Sequence, residues 1–98
     1  MKPVRLRKSA KRDFREATAY YAERNREVAE RFVEEVTRTL ELIEKFPMTG
    51  SPVPAVADTE IRRLPVHNFP YHVVFLRLTD RTAILAIAHD RRRPTYWR

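Results

Sequence analysis

The stretch that decides the fold is YHVVFLRL at residues 71–78, followed by TDR at residues 79–81 and TAILAIA at residues 82–88. Aromatic and β-branched residues are frequent in the first segment, which is typical of a strand, and the three residues after it favour a compact turn. The two predicted faces of the last segment carry Ala83, Leu85 and Ile87 on one side and Ile84, Ala86 and Ala88 on the other. Because both faces are apolar, we predict a central strand that is covered on two sides.

Two shorter strands are predicted upstream of this hairpin. Residues 61–66 form one of them, and Pro65 places it at a sheet edge or ends it early. The other lies at the start of the chain, where Val4-Arg5-Leu6-Arg7 alternates apolar and basic residues in the manner of a half-buried strand. Residues 47–59 contain three prolines and are predicted to form a loop with little regular structure.

Two helices are predicted between these strands, because apolar residues recur there at helical spacing. Within residues 10–24 the apolar stripe consists of Ala10, Phe14, Ala17 and Tyr21. In the second helix, which extends to about residue 45, it consists of Ala29, Phe32, Val33, Val36, Leu40 and Ile43. Ser9 is placed to cap the first helix, with Asp13 in its first turns. The short break at residues 25–26 implies an antiparallel helical hairpin.

The predicted order of elements is therefore β-α-α-β-β-β. This order indicates an α+β domain in which the helical hairpin packs on one face of a mainly antiparallel, four-stranded sheet. The length of 98 residues fits a single domain over residues 1–98. The longest apolar run, at residues 83–88, is far shorter than the roughly 20 residues that span a bilayer. We therefore expect a soluble, cytoplasmic protein.

Positive charge is concentrated at the two ends of the chain. The formal net charge is +7, with 20 basic and 13 acidic residues. Residues 1–12 contain six basic residues and no acidic one, and residues 89–98 contain four arginines and one acidic residue. Such localised excess charge predicts an anionic partner, either a nucleic acid or an acidic protein.

Several common chemistries are excluded by the residue types present. The chain has no cysteine, and its one glycine excludes a glycine-rich phosphate loop. Ser9 and Ser51 are the only serines, and neither has a histidine nearby in the sequence for a catalytic triad. The histidines, at positions 67, 72 and 89, lack the spacing of metal ligands. We predict neither a metal site nor a cofactor.

What remains is a set of arginines, aromatic residues and one histidine. Arg62 and Arg63 are adjacent in a predicted strand and therefore point to opposite faces, so that at most one belongs to any single site. The stretch at residues 89–98 adds His89, Arg91, Arg92, Arg93, Tyr96 and Trp97. Arginine binds phosphate through its planar fork, and histidine exchanges protons near neutral pH. The two aromatic residues either stack on exposed bases or pack this segment onto the core.

The order of these motifs resembles the RelE/ParE superfamily of bacterial type II toxins over nearly the whole chain. The motifs are Ala10-x-x-Asp13, Tyr20-Tyr21, Ala29-x-x-Phe32 with Ile43 and Pro47, Ile61-Arg62-Arg63, Phe69-Pro70-Tyr71, and His89-x-x-Arg92-x-Pro94-x-Tyr96-Trp97. The resemblance implies a growth-arresting toxin that is neutralised by a cognate antitoxin, which covers it with an extended or helical segment.

The resemblance leaves two mechanisms open. RelE-like members cut mRNA on the ribosome without a metal. For that mechanism it implies that Arg62 or Arg63 and Arg92 supply cations, and that His89 or Tyr96 transfers protons. ParE-like members inhibit DNA gyrase by a protein–protein contact and need no catalytic set. No glutamate is clearly placed as a base and residues 50–98 contain no lysine, which favours the ParE-like side.

For binding to the target or the antitoxin, the candidates are Arg5, Arg7, Arg91, Arg92, Arg93, Tyr96 and Trp97. A third alternative is a basic nucleic-acid-binding module with neither activity, which would show strongly salt-dependent binding.

Overall fold

A computed structural model describes residues 2–93 and 95–97 of the chain. Its elements are β1 (Val4–Leu6), α1 (Lys8–Arg24), α2 (Arg26–Lys45), β2 (Ser51–Pro52), β3 (Ile61–Pro65), β4 (Tyr71–Arg77) and β5 (Thr82–His89). The α+β class and the predicted order of elements are confirmed. Pro94, which belongs to the last predicted motif, and Arg98 lie outside the described residues.

The sheet has five strands in the order β1-β5-β4-β3-β2, so one strand more than predicted. β1 runs parallel to β5, and the other neighbours are antiparallel. The additional strand is β2, in which Ser51 and Pro52 pair with Arg63 and Arg62. The prediction of a loop over residues 47–59 missed β2, because two residues are too few to show the apolar–polar alternation of a strand and one of them is a proline. Its place at the edge of the sheet suits a proline, which cannot donate to a ladder.

β5 contains a bulge, and beyond it each residue points to the face of the sheet opposite to the predicted one. Val74 pairs with Ala86, but the next residue, Phe75, pairs with Ile84, so that Leu85 is inserted between them. Ile84 and Ile87 consequently pack on the helix side of the sheet, whereas Leu85 and Ala86 pack on the other side. The predicted alternation of faces in this strand was therefore wrong beyond Leu85.

The sheet is nevertheless covered on both faces, as predicted for β5. The helix-side core is formed by residues such as Phe32, Val36 and Ile43 from α2 and Val73 and Phe75 from β4. The opposite core, here called the open-face core, consists of Val53, Ile61, Val74, Ala83, Leu85 and Ala86. Tyr96 and Trp97 pack against it from the end of the chain.

The two helices begin in different ways. Asn25 caps α2, because its side-chain oxygen accepts hydrogen bonds from the backbone N–H groups of Glu27 and Val28 at 2.9 and 3.3 Å. α1 follows Arg7 and has no side-chain cap. The predicted cap at Ser9 was wrong: this residue lies inside the helix, and its hydroxyl donates to the carbonyl of Leu85 at 2.8 Å. None of the helices that the structure describes is long and apolar enough to cross a membrane.

Candidate functional site

The segment after β5 is a series of turns that lies against the sheet. We call residues 90–93 and 95–97 the tail. The backbone N–H of Asp90 donates to the carbonyl of Pro70 at 2.8 Å, and that of Arg92 donates to the carbonyl of His89 at 2.9 Å. Arg91, Arg92 and Arg93 are exposed, while Tyr96 and Trp97 are partly buried. The tail thus presents cations to solvent and aromatic rings to the core.

α1 binds the part of β5 that β1 leaves unpaired. β1 pairs with β5 only from Thr82 to Ile84. Beyond that point, the hydroxyl of Ser9 donates a hydrogen bond to the carbonyl of Leu85. Oδ2 of Asp13 accepts a hydrogen bond from the backbone N–H of Ile87 at 3.1 Å. Asp13 is only 8% exposed, and its hydrogen bond satisfies a buried donor that faces no strand on this side among the described residues.

The same carboxylate oxygen also holds the tail. The hydroxyl of Tyr96 donates to Oδ2 of Asp13 at 2.8 Å. Burial raises the pKa of Tyr96 well above its ordinary value, and the hydrogen bond to Asp13 raises it further. The guanidinium carbon of Arg92 lies 3.8 Å from the centre of the Tyr96 ring, in a cation–π contact. Tyr96 therefore contacts both the buried Asp13 of α1 and the exposed Arg92.

A cleft of about 250 Å³ opens beside this contact, between α1 and the ends of β4 and β5. Its walls include Asp13, Glu16, Tyr20, Tyr71, His89 and Arg92. The ring of His89 packs edge-on against Tyr71, with centroids 5.1 Å apart. A larger cavity of about 480 Å³ lies between α2 and the β3–β4 turn, but its lining contains none of the predicted site residues. The structure therefore brings together three of them, His89, Arg92 and Tyr96.

The two arginines of β3 lie apart from this cleft and from each other. Arg62 pairs across the sheet with Phe75 of the helix-side core, and Arg63 pairs with Val74 of the open-face core, so they point to opposite faces as predicted. Arg62 donates to the carbonyls of Thr49 and Gly50 at 3.0 and 2.6 Å, which ties down the loop after α2.

Arg63 lines a separate depression of about 420 Å³, on the open face of the sheet. His72 and Asp90 also line it, and Nδ1 of His72 lies 2.9 Å from Oδ1 of Asp90. Arg63 therefore lies on a different surface from the cleft that contains His89.

Arg5 and Arg7 are exposed beside the first half of β5, whereas the tail follows its last residue. Neither of them lines the cleft. In the ranges that the structure describes, no group of three or more histidine, aspartate or glutamate side chains is placed to hold a metal ion.

Asp13 is the residue that the sequence prediction missed as part of the site. The sequence predicts it in the first turns of α1 for reasons of helix electrostatics; the helix begins at Lys8, so Asp13 lies one turn further in. A signal was present: Asp13 lies between Ala10 and Ala17 on the apolar stripe, so that a carboxylate occupies a buried helical position. A buried carboxylate requires hydrogen-bond donors from elsewhere in the fold.

Comparison with known proteins agrees with this architecture. The family model described as "ParE toxin of type II toxin-antitoxin system, parDE" matches residues 4–94. A solved structure described as "Chromosomal ParDE TA system from P. aeruginosa" superposes with a TM-score of 0.76, covers 91% of this chain and 96% of that chain, and has 18% sequence identity, a likeness that shows the shared fold. No curated protein matches the sequence. The match over residues 4–94 establishes that the chain belongs to the ParE toxin family of type II toxin–antitoxin systems.

Proposed function

We propose that this protein arrests growth by binding and inhibiting DNA gyrase through a protein–protein contact, and that a cognate antitoxin neutralises it. Membership of the ParE family supports the proposal. The observation that carries it is that neither arginine of β3 lines the cleft that contains His89 and Arg92, so the cations that RNA cleavage would require are not gathered at one place. A target of this kind would place the protein in the cytoplasm.

RNA cleavage through the ribose 2′-hydroxyl requires a proton acceptor, a proton donor and cations around one phosphate. Here Arg62 is engaged by loop carbonyls, and Arg63 lies on the opposite face of the sheet. The hydroxyl of Tyr96 already donates a hydrogen bond to Asp13, and its raised pKa makes it a poor carrier of protons at neutral pH. The predicted catalytic set therefore converges only in part, because Arg62 and Arg63 lie apart from the other members, and this supports an activity based on contact.

The tail is the surface that best suits such a contact. It contains three consecutive exposed arginines, Arg91, Arg92 and Arg93. The aromatic residues that follow them pack on the open-face core. Complementary charge accelerates association and selects the partner. We assign the same basic surface, with Arg5 and Arg7 beside β5, to an acidic segment of the antitoxin.

A supercoiling assay with purified gyrase tests the proposal. We expect the wild-type toxin in molar excess to inhibit supercoiling, and the variant R91Q/R92Q/R93Q to inhibit it at least tenfold less strongly. The matched control is R15Q/R31Q/R81Q, which removes the same charge from exposed positions outside the tail and should inhibit like the wild type. Undiminished supercoiling in the presence of excess wild-type toxin would overturn the gyrase target.

One observation favours the alternative of a ribosome-dependent endoribonuclease. His89 and Arg92 line the same cleft, so that a proton carrier and a cation are near each other. Primer extension on translated mRNA separates the alternatives. New 5′ ends that appear with the wild type and disappear with His89→Ala and Arg92→Ala would establish cleavage, whereas unchanged mRNA together with growth arrest would exclude it.

A further inference from the structure

Three separate parts of the chain meet at one oxygen atom. Oδ2 of Asp13, on α1, accepts the backbone N–H of Ile87, on β5, and the hydroxyl of Tyr96, in the tail. These residues are 74 and 83 positions away from Asp13 in the sequence. Asp13 is buried, and in a site of low polarity such shared hydrogen bonds are stronger than in water.

We propose that Asp13 is a positioning residue, which holds Tyr96 so that the tail presents its three arginines as one preformed surface to the target. The inference rests on the proposed function in so far as the tail contacts the target. It gives Tyr96 the role of a latch, which extends the packing expected from the sequence and differs from proton transfer or partner contact.

The geometry connects the latch to the arginines directly. The ring of Tyr96 packs on the open-face core, and the guanidinium of Arg92 lies over it at 3.8 Å. Fixing the hydroxyl of Tyr96 therefore fixes the ring on which Arg92 rests. At the other end of the tail, the backbone N–H of Arg91 donates to Nδ1 of His89 at 3.1 Å.

A preformed surface binds more tightly because less side-chain and loop freedom is lost on binding. Without the latch, the tail would retain its exposed charge and the packing of its aromatic rings, but its arginines would sample more conformations than in the wild type. The latch should therefore affect the concentration of toxin that is needed for inhibition, while the inhibition reached at saturation stays the same.

Tyr96→Phe is the most direct variant, because it removes the hydroxyl and retains the ring, the contact with Arg92 and the bond between Asp13 and Ile87. Asp13→Asn is the second variant, since an amide oxygen still accepts hydrogen bonds but without the charge that strengthens them. Tyr21→Phe is the matched control: it removes the hydroxyl of a partly buried tyrosine in the aromatic cluster with Phe32 and Phe69, outside the cleft.

The first measurement is limited trypsin digestion of the full-length toxin. Arg91 and Arg92 are cleavage sites in the tail, and Arg81 in the exposed β4–β5 turn is an internal reference. We expect Tyr96→Phe to raise the rate of tail cleavage about tenfold relative to cleavage at Arg81, which corresponds to the loss of a hydrogen bond to a charged acceptor. Asp13→Asn should give an intermediate increase, and Tyr21→Phe none.

The second measurement is activity, read both as growth arrest at matched expression and as gyrase inhibition. Tyr96→Phe should raise the concentration for half-inhibition about fivefold to tenfold with the same maximal inhibition, and Asp13→Asn should again be intermediate. A loss caused only by a weakened fold would instead accompany a lower folded fraction of the variant. Far-ultraviolet circular dichroism and thermal unfolding establish that each variant is folded.

The outcomes separate this inference from the proposed function. Growth arrest by the wild type with unaffected gyrase would overturn the gyrase target, and growth arrest by the variants would then decide the role of the latch. Faster tail cleavage together with weaker arrest in Tyr96→Phe supports the latch. Tail cleavage equal to that of the wild type overturns it, and so does faster cleavage with unchanged arrest, because the positioning of the tail would then have no effect on the target.

Discussion

At the scale of single residues, two positions decide conformations that their neighbours depend on. Asp13 connects α1, β5 and the tail through one carboxylate oxygen. Gly50 permits the close approach of the loop after α2 to β3, where its carbonyl accepts a hydrogen bond from Arg62. Both effects are local, and each can be tested by a single substitution.

The ionisation of Tyr96 should make stability depend on alkaline pH. Its pKa is raised in the folded state, mainly by burial, above the value of about 10 that tyrosine has in an unfolded chain. The folded state therefore holds this proton more tightly, and the resulting stability is fully present below about pH 10 and is lost as the pH rises further. We expect the free energy of unfolding to fall more steeply above about pH 10 in the wild type than in Tyr96→Phe.

Urea unfolding of both proteins between about pH 8 and pH 11 measures this difference. Tyr21 and Tyr71, whose pKa values burial also raises, are present in both proteins, so their contributions cancel in the comparison. Parallel stability profiles for the two proteins would contradict the prediction.

Gly50→Ala should destabilise the fold. Gly50 has φ +83°, and a Cβ atom at this position would lie 2.3 Å from the backbone carbonyl oxygen of Arg63. Because that oxygen belongs to a strand, the collision cannot be relieved by a side-chain rotation. We expect a loss of at least about 1–3 kcal/mol in the free energy of unfolding. Ser51→Ala, at the exposed neighbouring residue, should change it by less than about 0.5 kcal/mol.

At the scale of elements, the edge of β5 explains why α1 and the sheet fit together. The bulge at Leu85 turns Ile87 to the helix side, and in the part of the chain that the structure describes no strand pairs with the β1 side of β5 beyond Ile84. Ser9 and Asp13 lie one helical turn apart on α1. Ser9 provides the donor and Asp13 the acceptor that this edge of β5 requires. The helix therefore replaces the missing part of strand β1.

The start of α2 depends on its cap. Asn25→Ala removes the acceptor for the N–H groups of Glu27 and Val28, and should lower the free energy of unfolding by about 1 kcal/mol. Asn25→Asp keeps an oxygen in the same place and is the matched control, with an expected change near zero. Thermal or urea unfolding of the three proteins tests this, and equal losses in both variants would show that the cap oxygen is not the cause.

At the scale of the whole molecule, the sheet is enclosed by two different layers. The helical hairpin covers one face of the sheet. The opposite face, which carries the open-face core, is covered by the segment around Val53 and by the tail. The tail therefore has a structural part, Tyr96 and Trp97, and a charged part, its three arginines. Packing residues and exposed cations are in this way combined in one short segment.

Trp97→Ala should expose the open-face core. We expect a loss of about 1–3 kcal/mol in the free energy of unfolding, because the ring is partly buried against this core. Binding of a hydrophobic dye should increase in native conditions. Met48→Ala is the control, since Met48 is 66% exposed and its truncation should leave both quantities nearly unchanged. A Trp97→Ala variant as stable as the control would contradict the role of the tail as a cover.

The sequence by itself determined the local elements, because helix and strand periods and apolar stripes are properties of neighbouring residues. It predicted α2 to residue 45, the β4–β5 hairpin and the burial of β5 on both faces, and its motif order indicated the toxin family. Only the tertiary structure decided the bulge at Leu85, the strand at Ser51–Pro52 and the meeting of Asp13 with Ile87 and Tyr96. The reason is physical: each of these features depends on backbone groups that become neighbours only when distant segments pack together, and no local period records which donor a buried carboxylate will meet.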